Sequence, residues 1–144
     1  MVGLWSTLAI RSERLAQLEA ETKFTRFEAE AQRVQIRCLD TALTGPEEIS
    51  AVIKTCLQAL SPYGVLESVD WHNAPDVNRL QNPFQRRLRQ TVGELLFLLT
   101  SLEQQQARSE QAPKKREELL RQALQHHQQS ASSYSPGDSP HALV

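Results

Sequence analysis

The sequence is poor in glycine, cysteine and aromatic residues, and it has no excess of charge of either sign. Its 144 residues include five glycines and two cysteines, and aromatic residues make up 6%. The glycines are isolated from one another, so the chain has no glycine-rich phosphate-binding loop. The 16 Lys and Arg residues are balanced by 17 Asp and Glu residues. This balance argues against a nucleic-acid-binding protein, because such proteins carry a basic excess that neutralises phosphates.

Long apolar segments are also missing. The longest unbroken apolar run, residues 95–99, is far shorter than the ~20 residues that a bilayer-spanning helix requires. The first ten residues lack the basic start and the small-residue cleavage site of a signal peptide. We therefore expect a soluble, cytoplasmic chain with no membrane span. Cys38 and Cys56 fall on predicted apolar stripes, which favours two free, packed thiols over a disulfide.

No catalytic or metal-binding motif is recognisable. Zinc-type Cys or His spacing is absent. His126 and His127 are neighbours on a predicted helix, about 100° apart, and do not readily converge on one metal ion. The segment Asp70-Trp71-His72 combines a carboxylate with an imidazole but has no visible third group to complete an acid–base site. We expect no catalytic residue, no metal ligand and no cofactor.

Helix-forming residues are abundant, since Leu, Ala, Gln, Glu and Arg dominate the composition. Their periodicity predicts an all-α fold with helices at about residues 20–43, 46–60, 83–106 and 114–129. We expect residues 1–19 to form a helical arm that extends the first helix, residues 20–129 to form the helical domain, and residues 130–144 to form a mobile tail rich in serine. The first two helices should form a hairpin, and the last two a pair. The whole is either a bundle or a divergent tetratricopeptide-like stack.

The second predicted helix has the clearest amphipathic pattern. Gly45-Pro46 separates it from the first helix, and Ser61-Pro62 ends it. Its apolar residues recur with a helical period, at Ile49, Val52, Ile53, Cys56, Leu57 and Leu60. Since Leu57 lies in the middle of this stripe, Leu57→Asp should unfold much of the protein.

Two apolar series run along the first helix, and they do not share a phase. The second series, with alternating spacings of four and three, is Ala20, Phe24, Phe27, Ala31, Val34 and Cys38, and it should face the hairpin partner. The first series is Leu4, Leu8, Leu15 and Leu18. Either the stripe changes face between Leu18 and Phe24 or the helix breaks there. We expect the first series to be a partner-contact arm.

Small residues on the last two predicted helices echo those of a tetratricopeptide repeat, in which they let paired helices approach closely. The residues predicted to pack in this way are Val92, Gly93, Leu96, Leu120, Ala123 and Leu124. A four-helix bundle accounts for the same residues.

Four segments resemble a region of planctomycete-type serine/threonine kinases that lies between the kinase domain and an array of tetratricopeptide repeats. They are residues 24–30, residues 59–65, Trp71 and residues 89–99, and the similarity extends over roughly residues 20–124. The chain has no glycine-rich nucleotide loop, no His-Arg-Asp and no Asp-Phe-Gly, so no kinase catalytic residue can be transferred to it. The resemblance implies a scaffold or regulatory segment.

These observations predict a non-catalytic helical module that binds another protein, with a link to kinase signalling. Two alternatives remain at this point. One is a structural homodimer through the first helix. The other is a domain that binds a small ligand or a lipid with the loop that carries Tyr63 and Trp71 over the helical core.

Overall fold

The computed structural model describes residues 2–40 and 45–133, and these residues form an all-α fold without a strand, as predicted. Two 3₁₀ turns, Ser61–Tyr63 and Trp71–Asn73, lie in the connection between the second and third helices. The five α-helices are α1 (Val2–Asp40), α2 (Pro46–Leu60), α3 (Pro75–Asn78), α4 (Asn82–Ser109) and α5 (Pro113–Ser133).

The signals at the ends of α2 explain why its bounds match the prediction. Pro46 occupies the first turn, where its missing N–H leaves no hydrogen bond unmade, and Glu47 and Glu48 face the positive end of the helix dipole. After α2, Gly64 adopts φ 59°, a left-handed conformation that glycine reaches without steric cost. The chain therefore turns sharply before it crosses to α4.

Cross-helix contacts define how the long helices are oriented. Gln106 contacts Ser50 and the Cys56 thiol contacts the Leu95 carbonyl, so α2 and α4 run antiparallel. α1 runs parallel to α4, because Glu28 pairs with Arg87 and Gln35 pairs with Glu94. The core between these three helices includes the fully buried residues Val34, Val52, Cys56, Leu60, Leu88, Val92, Leu95 and Leu99.

α1 is a single helix across the point where its apolar face changes, so the alternative of a break there is wrong. The inner stripe predicted from Ala20 onward is buried through Val34, and Cys38 is partly buried against the core. Predicted residues 41–43 of this helix lie outside the described residues. α4 begins at Asn82, one residue before the predicted start, and Gln81 is its N-cap.

α5 extends beyond the predicted end at residue 129. Ser130 is fully buried, and its hydroxyl donates a 2.9 Å hydrogen bond to the Gly93 carbonyl of α4. The prediction that the tail begins at residue 130 is therefore wrong for residues 130–133, because a small polar residue at the helix contact can satisfy its hydroxyl on the neighbouring backbone. The remainder of the predicted tail, residues 134–144, lies outside the described residues.

The residues predicted to pack between α4 and α5 differ in their burial. Val92, Gly93, Leu96 and Ala123 are buried. Leu120 and Leu124 are 47% and 57% exposed, so the packing role predicted for these two is wrong. Leu119, Ala123, His126 and Ser130, at spacings of four and three on α5, are buried or partly buried, and His127 and Gln129 beside them are also partly buried. Leu120 and Leu124 lie one residue, or about 100°, further round the helix. Whether the pair is a tetratricopeptide-like unit stays a prediction.

One charged residue is buried at this helix contact. The Glu103 side chain is 4% exposed, and its carboxylate is hydrogen-bonded to Nδ1 of His126 on α5, whose side chain is 15% exposed. A buried carboxylate needs such a partner, because removal from water costs several kcal/mol if the charge is not compensated. The pair therefore helps to fix the register of α5 on α4.

We expect Val52→Asp to destabilise the fold more than Leu57→Asp. Val52 is fully buried, whereas Leu57 is partly exposed at the edge of the core and can turn a carboxylate to water. Val52→Asp should lower the free energy of unfolding by about 4 kcal/mol or more, and Leu57→Asp by about half as much. Thermal and urea melting followed by circular dichroism measures both. Equal losses would mean that the two positions are buried alike.

We also expect the Glu103–His126 pair to be coupled. His126→Leu alone leaves the Glu103 carboxylate buried without its partner and should cost about 3 kcal/mol, whereas Glu103→Met combined with His126→Leu should lie within about 1 kcal/mol of the natural protein. Urea unfolding of the two single variants and of the double variant gives the coupling. Additive losses would contradict the pairing.

Candidate interaction surface

The leucines of the predicted arm lie on an exposed helical surface. Leu8, Leu15 and Leu18 are 52%, 61% and 58% exposed, and the first buried residue of the described α1 side chains is Ala20. Leu4 lies in the first turn of α1, and its side chain is outside the described residues. The arm therefore presents apolar side chains to solvent at the end of α1 that leaves the bundle.

The leucine series continues past Leu18 as a longer row along the outside of α1. We call it the outer row, and all of its members are exposed: Leu8, Arg11, Leu15, Leu18, Thr22, Thr25, Ala29, Gln32 and Ile36. Its spacings alternate between three and four residues without interruption. Ile36, which is 56% exposed, is the large apolar residue at its far end. Sequence reasoning missed the continuation because its middle members are polar or small, although the unbroken spacing was a signal for it.

The outer row and the buried inner stripe occupy nearly opposite faces of α1. At about 100° per residue, the two rows are centred roughly 150° apart. The inner stripe is held by aromatic contacts, with Phe24 5.7 Å from Phe84 and Phe27 5.3 Å from Tyr63 between ring centroids. These contacts fix the rotation of α1 about its own axis, so the outer row must face away from the bundle.

An apolar groove of about 570 Å³ runs beside the outer row, between α1 and the end of α2. Apolar side chains form its floor and charged side chains form its rim. The apolar members are Leu15, Leu18, Phe27, Ala59 and Pro62, and the charged members are Glu19, Lys23, Arg26 and Glu30. A second, more open groove lies along the row itself and is lined by Leu18, Thr22, Arg26 and neighbouring residues.

The aromatic residues behind this groove belong to the core. Tyr63 and Trp71 are 6% and 5% exposed, and their ring centroids are 6.4 Å apart. The Lys23 ammonium lies 4.5 Å from the centre of the Tyr63 ring and forms an ion pair with Asp76. Burial, with a smaller contribution from Asp76, raises the pKa of the Tyr63 hydroxyl. The Tyr63 and Trp71 side chains are thus buried in the core and are not exposed on the surface of the loop.

The two cysteines are both free, as predicted. Cys56 is fully buried, and burial raises the pKa of its thiol to about 12. Burial also raises the pKa of Cys38, while Arg37 opposes that shift. A thiol reacts as the thiolate, so both shifts reduce the reactivity of these side chains near neutral pH.

The sequence segment Asp70-Trp71-His72 does not form a pocket of polar groups. Trp71 turns inward, Asp70 is exposed, and His72 lies edge-on to Trp71 with ring centroids 5.9 Å apart. Across residues 2–40 and 45–133, no group of three or more His, Cys, Asp or Glu residues is arranged to hold a metal ion. None of the helices described is long and apolar enough to cross a membrane.

Comparisons of this chain with protein-family models, with curated proteins and with solved structures each found no match. The resemblance of residues 20–124 to the kinase-associated region therefore stays a prediction.

We expect a chain that begins at Ala20 to keep its fold. The arm contributes exposed leucines and charged residues, while the buried part of α1 starts at Ala20. The free energy of unfolding should change by less than about 1 kcal/mol, because exposed residues contribute little to it. Cooperative thermal melting, compared with that of the full chain, measures the effect. Loss of cooperativity would show that the arm belongs to the core.

Proposed function

We propose that this chain is a non-catalytic helical protein-interaction module that binds a partner helix along the outer row of α1 and in the adjacent groove. The observation that carries the proposal is the unbroken exposed row, in which leucines recur at the spacing by which one helix packs on another. The bundle holds the other face of α1, and so presents this row in a defined orientation.

The length of α1 supports a partner on this face. A helical segment without tertiary contacts is marginal in water unless an amphipathic face is covered. Residues 7–15 and 18–19 of α1 are all exposed in this chain. A partner helix on the outer row would bury Leu8, Leu15 and Leu18, and each leucine fully buried contributes about 1.5–3 kcal/mol. The arm gains its stability from this association.

The charged rim of the groove suits a protein partner with polar flanks. Lys23 and Arg26 lie between Glu19 and Glu30 along α1, so both signs of charge border the apolar floor. Such a rim sets specificity and orientation more than affinity. In this proposal the module serves as a scaffold. A link to serine/threonine kinase signalling rests on the resemblance of residues 20–124 alone.

A second candidate function is the binding of a small apolar ligand or a lipid. The groove volume of about 570 Å³ lies within the range of small-molecule sites, roughly 300–1,000 Å³. Native mass spectrometry of the freshly purified protein would detect a retained ligand. A ligand that disappears on Phe27→Ala, with the fold intact, would favour this candidate over a partner helix.

We expect the paired substitution Leu15→Glu with Leu18→Glu to abolish partner capture. The matched control is Leu120→Glu with Leu124→Glu, because these leucines have similar exposure but lie on α5. Each full-length protein is immobilised, and captured proteins are identified and quantified. A partner retained by the natural chain and by the α5 variant but lost from the α1 variant supports the proposal. Equal loss from both variants, or from neither, contradicts it.

A further inference from the structure

We propose that the partner of the outer row is a second copy of this chain, and that the two α1 helices pair in parallel and in register as a two-stranded coiled coil. This inference rests on the proposed function, because it uses the same face of α1, and it names the occupant. The face from Leu8 to Ile36 spans about 42 Å of helix, at roughly 1.5 Å per residue.

The outer row has the heptad spacing of a coiled-coil seam. Its two interleaved sets of positions, conventionally a and d, fall at every seventh residue. The first set is Leu8, Leu15, Thr22, Ala29 and Ile36, and the second set is Arg11, Leu18, Thr25 and Gln32. The apolar layers are concentrated in the arm, where residues 7–15 are exposed, and Ala29 and Ile36 extend the seam beside the bundle.

Charged residues that flank the seam are complementary in a parallel pair. In such a pair, a residue just before an a position faces the residue five places later on the other helix. These partners are Arg14 with Glu19 and Glu21 with Arg26, and each pair joins opposite charges. Because the two helices of the dimer are equivalent, each of these contacts occurs twice. Glu28 and Arg33 occupy the next such positions, but in the single chain they already pair with Arg87 and Glu30. The Arg14, Glu19 and Arg26 side chains are exposed in the single chain, so they are accessible to a second copy.

In an antiparallel pair of α1 helices, the same charged residues form fewer favourable contacts than in the parallel pair. In the alignment that places Leu15 opposite Leu18 of the second copy, Arg14 faces Glu21, but Glu19 faces Ser12 and has no basic partner. Shifting the alignment by one heptad in either direction brings Arg14 opposite its own copy, or Glu19 and Glu21 opposite theirs. Like charges across a seam disfavour association. The charge pattern therefore selects the parallel arrangement.

Arg11 is the charged member of the seam, and in register it meets Arg11 of the second copy. Together with Thr22, Thr25 and Gln32 it makes four of the nine layers polar, and polar layers lower the stability of a coiled coil. The guanidinium groups can extend from the seam toward solvent on their long aliphatic stems. We therefore expect a dimer that dissociates on dilution and not an obligate one.

The bundle leaves room for this pairing. α2 and α4 cover the inner stripe of α1, on the face roughly opposite the outer row, so the two bundles of a dimer would lie on the outside of the paired helices. The second helix would lie over the groove beside the seam, against Leu15, Leu18 and the rim residues Glu19 and Arg26. Side chains of the second helix would thus fill the groove.

The first test compares Leu15→Glu with Ile10→Glu in the full-length protein. Both residues lie on the arm and are similarly exposed, at 61% and 58%, but Ile10 lies about 120° from the outer row. Sedimentation equilibrium across a concentration series should show the natural chain and Ile10→Glu shifting from 16.3 kDa toward twice that mass. Leu15→Glu should raise the dissociation constant of the dimer at least about tenfold. Equal effects of the two substitutions would overturn the proposed seam.

The second test uses a charge exchange that distinguishes the two orientations. Arg14→Glu and Glu19→Arg should each weaken the dimer several-fold, and the double variant should return to within about twofold of the natural chain, because the parallel pair regains opposite charges. An antiparallel pair predicts a double variant as weak as Arg14→Glu alone. That result would overturn the parallel arrangement.

A natural chain that remains at 16.3 kDa at every concentration overturns self-pairing. A monomer at every concentration would not contradict the proposed function. That function is tested separately, by whether the natural chain captures another protein and whether the α1 substitutions abolish the capture. Conversely, a parallel dimer without any captured partner supports self-pairing as the role of this face.

Discussion

The aromatic contacts of the inner stripe determine how the rest of the molecule is arranged. Phe24 packs on Phe84 and Phe27 packs edge-on against Tyr63, so α1 is clamped between the start of α4 and the end of α2. Aromatic pairs of this kind add about 0.5–1.5 kcal/mol beyond the area that they bury. Since the clamp fixes both the position and the rotation of α1, it also decides which residues leave the bundle and which face they show.

The first and last helices, α1 and α5, are held by different physical means. α1 is fixed by apolar and aromatic burial, whereas the contact of α5 with α4 includes the Glu103–His126 pair and the Ser130 hydrogen bond to the Gly93 carbonyl. Polar contacts inside a protein are directional, so they specify one register where leucine packing alone would permit several. This difference matters because α5 has a small apolar face, with Ala123 as its buried apolar member.

The sequence predicted those features that depend on local signals. Pro46 and Ser61-Pro62 mark the ends of α2, and the period of Phe24, Phe27, Ala31 and Val34 identified the buried face of α1. Leu120 and Leu124 were assigned wrongly because α5 is rich in leucine on more than one face, and its partner selects the face with Ala123 and Ser130. The groove could not be predicted, because its walls come from α1 and from Ala59 and Pro62 of a distant segment. The full length of the outer row was not recognised from the sequence, because its middle residues Thr22, Thr25 and Gln32 are not apolar.

The uninterrupted backbone of α1 has a mechanical consequence. Residues 4–40 contain neither proline nor glycine, the residues at which helices most often bend or open. A helix without such a joint behaves as a rod, so a twist applied at its first turns is transmitted along its axis instead of being absorbed. The clamp at Phe24 and Phe27 receives that torque directly. The arm can therefore transmit a force from its first turns to the aromatic core. A partner bound to the arm would also strain the packing of Tyr63 and Trp71.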